Sequence, residues 1–294
     1  MAAETNVITT DEIRKVREID YAASFGEGLG KFLEILGVTR RISVTAGTVL
    51  KQLKVTGTLN TTQVDEGDII PLSQYETTWN PIGEVILNKY RKATTAEAIL
   101  KGGFDQAVNE TDKKMILDIQ KTVRTRLVGA LDNQNATTAY GQTLQDLLAH
   151  IWGQLQTLFE DDAVEPVYFV NPMDIADYLG TAPITTQTTF GFNYVEDFLG
   201  LGTVIVSPLI TKGKVYGTAK NNLVDYYIDA RESNGLGDAF DFSVDSETGF
   251  VGIHEESNYT RLQSETVAIE GVYIFPEMAA GIVNGEIGAE GPTP

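Results

Sequence analysis

Few residues of this chain have the type and spacing to do chemistry. The 294 residues include no cysteine, which removes disulfides, thiolate metal sites and a cysteine nucleophile. Two histidines, His150 and His254, stand far apart, and neither is expected to act as a base or a ligand. The run Phe25-Gly-Glu-Gly-Leu-Gly30 looks at first like a phosphate loop. Its order is not G-x-G-x-x-G and no strand leads into it, so no nucleotide site is expected. The chain has no GxSxG elbow, no GxxxxGK[ST] loop and no HExxH helix. The acidic pairs Asp161-Asp162 and Glu255-Glu256 have the groups for acid–base or cation work, but adjacent acids are ordinarily solvated surface. The sequence therefore predicts no catalytic residue, no cofactor, no metal and no enzymatic activity.

Charge is the stronger signal. The formal net charge is −19. Residues 1–140 hold 17 Lys/Arg against 18 Asp/Glu, whereas residues 141–294 hold 5 against 23. Net charge governs solubility and association rather than fold. The split predicts that first-half surfaces of one copy meet second-half surfaces of another. Strong phosphate binding needs clustered Lys and Arg, which the second half lacks, so specific DNA recognition is not expected. Nine prolines, 28 glycines and 42% hydrophobic residues describe a folded protein. No apolar run approaches the roughly 18 residues of a membrane span. The start, with Glu4, Asp11 and Glu12, does not resemble a signal peptide. A soluble protein made in a cytoplasm is expected.

The elements that must position these charges follow from periodicity. Between Gln106 and Leu131 there is no proline, and Ile116, Ile119, Val123, Leu127 and Ala130 fall on one helical stripe. Lys113, Lys114, Asp118, Lys121, Arg124 and Arg126 run between them. Such a helix is roughly 35 to 40 Å long, with sheet expected on its dry face. Residues 1–35 read as an extended arm with a short helix from Leu29 to Leu36. From Arg41 the period becomes two, through Ile42, Val44, Val49, Leu53, Val55 and Leu59. A polar turn over 63–71 and returning strands make 45–88 a long two-stranded excursion. It has too few large apolar residues for a core, and an isolated hairpin is marginal in water, so it must lie on something else, such as another subunit. A short helix (93–100), a Gly102-Gly103 break and a second helix (144–159) are expected around the long one. A buried strand with an Asn171-Pro172 helix start follows, then paired strands at 200–208 and 212–220, a strand at 224–228, and closing strands across 241–284. The class is α+β.

This order of elements resembles the major capsid proteins of tailed bacteriophages, with the Hong Kong 97-like shell fold, over nearly the whole chain. The resemblance implies an N-terminal arm (1–35), an E-loop hairpin and its base (36–92), a peripheral domain (93–140 and 240–287) with a long spine helix, an axial domain (141–239) and a C-terminal tail (288–294). It implies a structural protein whose copies form pentamers and hexamers and then an icosahedral shell holding double-stranded DNA, without sequence specificity. A portal protein and a separate scaffolding protein are the implied partners, since the arm begins almost at once. The implied location is the virion capsid, assembled in the host bacterial cytoplasm without a membrane. Encapsulin nanocompartments, which enclose cargo enzymes, share the shell fold and are the alternative. The residues expected at intersubunit interfaces are Arg40, Arg41, Lys51 and Lys54 around the E-loop base, Glu66 and Asp68 at its tip, and Arg124 and Arg126 on the spine. Some relatives join Lys to Asn covalently. Lys51 and Lys54 lie in the E-loop, but no partner Asn or promoting acid is identifiable, and noncovalent cohesion is expected.

Overall fold

A computed structural model describes residues 10–67, 69–132, 136–159, 164–180, 186–231, 239–245 and 248–288. The first element corrects the expected extended arm. Helix α1 (Thr10–Ile35) is 26 residues long and runs through the glycine cluster. Ala22, Phe25, Leu29, Phe32, Leu33 and Leu36 are fully buried on one of its faces. Each glycine in a helix costs on the order of 1 kcal/mol, and burial of two phenylalanines and three leucines outweighs that. Gly26 also serves a close approach, since a Cβ there would come within 2.5 Å of Thr248 Oγ1. The helix ends in a Schellman motif: Gly37, at φ 68°, donates to the Glu34 carbonyl, and Val38 donates to that of Leu33.

Next come β1 (Arg41–Ser43), β2 (Thr48–Thr58), β3 (Gln74–Val85) and β4 (Asn88–Thr95). Helix α2 (Ala96–Gly102) is capped by the Thr95 side chain and stops at Gly103, φ 79°. A π-turn over Asp105–Asn109 leads into α3 (Glu110–Leu131). Its buried stripe is Ile116, Ile119, Val123, Leu127 and Leu131. Leu131 takes the place expected of Ala130, which is only half-buried, because the larger side chain reaches the core. Strand β5 (Thr137–Gly141) precedes α4 (Leu144–Leu158), capped by Thr143. Strand β6 (Pro166–Val170) is buried throughout and leads into α5 (Pro172–Leu179), where Asn171 caps and Pro172 starts the first turn. The chain continues through β7 (Gln187–Thr189), β8 (Phe192–Val195), β9 (Thr203–Val206), β10 (Lys214–Ala219), β11 (Leu223–Tyr227), β12 (Ser243–Val244), β13 (Val251–Asn258), β14 (Gln263–Glu270), β15 (Val272–Pro276) and β16 (Ile282–Ile287).

These strands make four sheets: β1-β11-β15, β5-β16-β10-β6-β9-β8-β7, β12-β13-β14-β4, and the hairpin β2-β3. Two pairings differ from the sequence expectation. Strands β9 and β10 do not pair with each other but flank β6, β9 in parallel and β10 antiparallel. The fully buried β6 can accept neighbours on both edges, and α5 with the β7-β8 hairpin supplies the long crossover a parallel neighbour needs. The closing strands divide as well. β13 and β14 join β4, β15 joins β11, and β16 inserts between β10 and β5 of the large sheet.

One apolar cluster joins α1 and α3 to Phe190, Phe192, Phe250 and Ile274. Phe32 stacks on Phe190 and on Phe192, with ring centroids 5.6 Å and 4.9 Å away. A second cluster packs α4 on the large sheet. There the backbone approaches closely: a Cβ on Gly217 would come within 2.3 Å of Ile151.

Candidate interaction surfaces

The hairpin is joined by eleven cross-strand pairs, from Thr48–Val85 to Thr58–Gln74. At about 3.3 Å per residue it reaches roughly 35 Å before its tip. Its root is anchored. Leu50, Val85 and Ile228 are buried together, with Val44, Leu87, Tyr226, Tyr273 and Phe275 packed round them. Gly83 makes room for the Phe275 ring, which a Cβ would meet at 2.8 Å. Beyond that root the large apolar side chains are uncovered: Val55, Leu59, Tyr75 and Trp79 are each more than half exposed, and Ile69 and Leu72 are 93% exposed. The sequence signal for that tip is the run Ile69-Ile70-Pro71-Leu72 inside a polar turn, next to the expected Glu66 and Asp68.

The expected interface residues do not gather at one place. Arg40 forms an ion pair with Glu277 at 2.8 Å, which raises its pKa. Arg41 is exposed, and its guanidinium lies 5.7 Å from the Phe250 ring centre. Lys51 is exposed opposite Pro81, Lys54 is paired by backbone with Thr78, and Glu66 is exposed in the tip turn. Asp68 lies outside the described residues. Arg124 and Arg126 are engaged within the chain. Arg124 donates to the Phe190 carbonyl and lies over the Phe190 and Phe192 rings, and burial lowers its pKa. Gly191, beside it, sits at φ 72°, a conformation that favours glycine. Arg126 pairs with the fully buried Glu270 and covers the Tyr273 ring at 4.6 Å. Glu270 also accepts from Tyr90 Oη at 2.9 Å, and burial first, then Glu270, pushes that phenol well above its usual range.

A polar seam that the sequence did not reveal runs between α1, α3 and the four-stranded sheet. Glu18 accepts from Ser243 Oγ and from the Glu255 backbone amide. Arg17 pairs with Glu255, whose pKa is raised by burial. Lys92 and Thr266 meet Asp112. Glu18, Asp112, Glu255 and Glu270 are each at most 5% exposed. No periodicity marks such acids, because they sit in contacts between elements distant in sequence.

The seam also changes the meaning of the charge split. Lys15–Asp241, Arg17–Glu255, Arg40–Glu277, Arg91–Glu265 and Arg126–Glu270 each join a first-half cation to a second-half acid of the same chain. Complementarity expected between copies is thus partly used inside one copy. Of the histidines, His150 lies on the exposed face of α4, 3.4 Å from Asp146, and His254 faces Glu18 at 3.8 Å. Among the described residues no group of three His, Cys, Asp or Glu is gathered as a metal site, and no helix is long and apolar enough to cross a membrane.

No protein-family model and no curated protein sequence matches this chain. Solved structures do. The protein of Gordonia phage Cozz is 13% identical, with a TM-score of 0.57 over 88% of this chain and 87% of that one. The capsid asymmetric unit of cyanophage A-1(L) is 11% identical, at 0.54 over 88% and 93%. A virus-like particle from Pyrococcus furiosus is 14% identical, at 0.51 over 92% and 98%. The resemblance to phage capsid proteins therefore holds at the level of the fold, over most of both chains.

Proposed function

We propose that this chain is a major capsid protein of a tailed bacteriophage, assembling through pentamers and hexamers into an icosahedral shell around double-stranded DNA. The observation that carries this is the hairpin β2-β3, which has a built root and a long, apolar, uncovered outer part. Exposed contiguous apolar surface of this kind marks an interaction site, and the fold it extends from is shared with a phage capsid and a virus-like particle. In this reading the hairpin is an E-loop, α3 is the spine, α1 takes the place of the arm by packing on the body, and 93–140 with 240–287 make the peripheral domain beside an axial domain at 141–239. Strands β5 and β16 tie the two domains together through the large sheet. A portal and a separate scaffold are the further partners. The DNA is enclosed rather than read, since the second half is strongly acidic.

The hairpin tip of one copy lies, in this proposal, on the outer face of α3 of the next. That face presents Leu117, 56% exposed, beside the exposed Lys121 and the surface pairs Lys113–Glu110 and Lys114–Asp118. The tip brings Asp65, Glu66, Ile69, Ile70 and Leu72. Apolar side chains supply the buried area, and opposite charges set register and approach. Arg41, Lys51 and Lys54 flank the same contact nearer the root.

The test is sedimentation and negative-stain electron microscopy of the purified chain, alone and with a candidate scaffold. Closed shells, tubes or capsomer rings are expected. A 32.1 kDa monomer under every condition overturns the proposal.

A further inference from the structure

The sheet β1-β11-β15 is a platform with two faces. One carries Tyr226, Tyr273 and Phe275 against the hairpin root. The other carries Leu223, Tyr227, Val272 and Ile274 into the main core. Asp225 stands on β11 within this platform, fully buried, and neither of its carboxylate oxygens has a hydrogen-bond partner among the described residues. A buried polar group is normally satisfied, so this one calls for a role.

Its surroundings are sparse in charge. Across the ladder on one side stands Ile274 of β15, and on the other Arg41 of β1. Tyr227, on the same strand, feels Asp225, Arg41, Asp229 and Arg231. Arg40 and Glu277 act instead on Tyr226, the neighbour facing the root. Among the described residues Arg41 is thus the cation acting on Asp225, and it rests outside, over Phe250. Strand β1 is held by only three ladder positions, and it leads directly into the root through bonds from Val44 to Tyr227 and from Gly47 to Val85.

We propose that Asp225 is a proton-gated latch at the root of the hairpin, with Arg41 setting its midpoint. With Asp225 protonated, Arg41 stays outside on Phe250 and β1 stays in the ladder. With Asp225 ionised, the buried carboxylate reaches water only when the ladder opens, and β1 and the hairpin root loosen. The device belongs to the single subunit and does not depend on assembly.

Burial, opposed by Arg41, raises the Asp225 pKa from 3.8 to about 7. Between those values the closed state keeps a proton that an opened, solvated Asp225 releases. Closure is therefore favoured at acid pH, is progressively lost as pH rises toward about 7, and loses no more above it.

The test combines carbon-13 NMR of Asp carboxyls with hydrogen exchange of the root, corrected for intrinsic rates, from about pH 5 to about pH 8. The Asp225 carboxyl is expected to titrate near neutrality. Protection of residues 41–50 is expected to fall by about tenfold per pH unit up to the midpoint and then level off. Asp225→Asn flattens the profile. Arg41→Gln keeps it and moves the midpoint upward, because the cation favouring the carboxylate is gone. A wild-type Asp225 carboxyl titrating in the ordinary range, or the same exchange profile in D225N, overturns the latch.

Discussion

The hairpin β2-β3 and the sheet β12-β13-β14-β4 are both antiparallel, yet they treat their side chains in opposite ways. The four-stranded sheet lies under α1 and α3, and even its charges are closed off: Glu255 meets Arg17, Glu270 meets Arg126, and Asp112 receives Lys92. The hairpin has more ladder pairs than any single strand pair of that sheet, but beyond its root none of the described residues covers Trp79, Ile69 or Leu72. Backbone pairing alone gives a strand pair little independent stability. The body thus closes over its own charges, whereas in the proposed assembly the hairpin is completed by a second surface. The cations on α3 that looked available for a neighbour, Arg124 and Arg126, belong to the closed region.

Mutations can break the comparison at either end. The largest loss is expected from Phe32→Ala, which removes a fully buried ring stacked on Phe190 and Phe192. It costs about 3–5 kcal/mol in urea denaturation. Reversal of Arg126 to Glu comes next. It leaves Glu270 buried without its cation and adds a second carboxylate beside it, for a loss of about 3–5 kcal/mol, less whatever the side chain recovers by turning outward. The subunit therefore destabilises, whereas a purely interfacial arginine would leave it intact. At the other end, Ile69→Ser with Leu72→Ser is expected to change subunit stability by less than about 0.5 kcal/mol, since both side chains are 93% exposed. The same double variant is expected to abolish particles in sedimentation. Normal particles from it would mean that the tip is not the contact.

What could be read in advance follows from which residues carry local signals. The stripe Ile116, Ile119, Val123, Leu127 announced α3, and Asn171-Pro172 announced α5, because caps and 3.6-residue periods are local. The hairpin was legible from period-two alternation and from its poverty of large apolar residues. Helix α1 was missed because three glycines, Gly26, Gly28 and Gly30, argued against it locally, while the packing of Phe25 and Phe32 that overrides them is made by residues far away in sequence. The pairing of β9 and β10 with β6, and the seam of Glu18, Asp112, Glu255 and Glu270, are likewise long-range facts. Of the proposed contact, both the acids and the apolar run Ile69-Ile70-Pro71-Leu72 stand in the sequence, but only the fold shows that Ile69 and Leu72 are left uncovered.

The central claim is that assembly covers the hairpin, and one native probe reports on it. The chain has two tryptophans, Trp79 on the hairpin, 63% exposed, and Trp152 on α4, 41% exposed. With Trp152→Phe, Trp79 alone emits. The measurement is its emission maximum and iodide quenching in free subunits and in sedimented particles. The account predicts red-shifted, readily quenched emission in subunits and blue-shifted, protected emission in particles. Particles in which Trp79 stays as exposed as in the free subunit would contradict it.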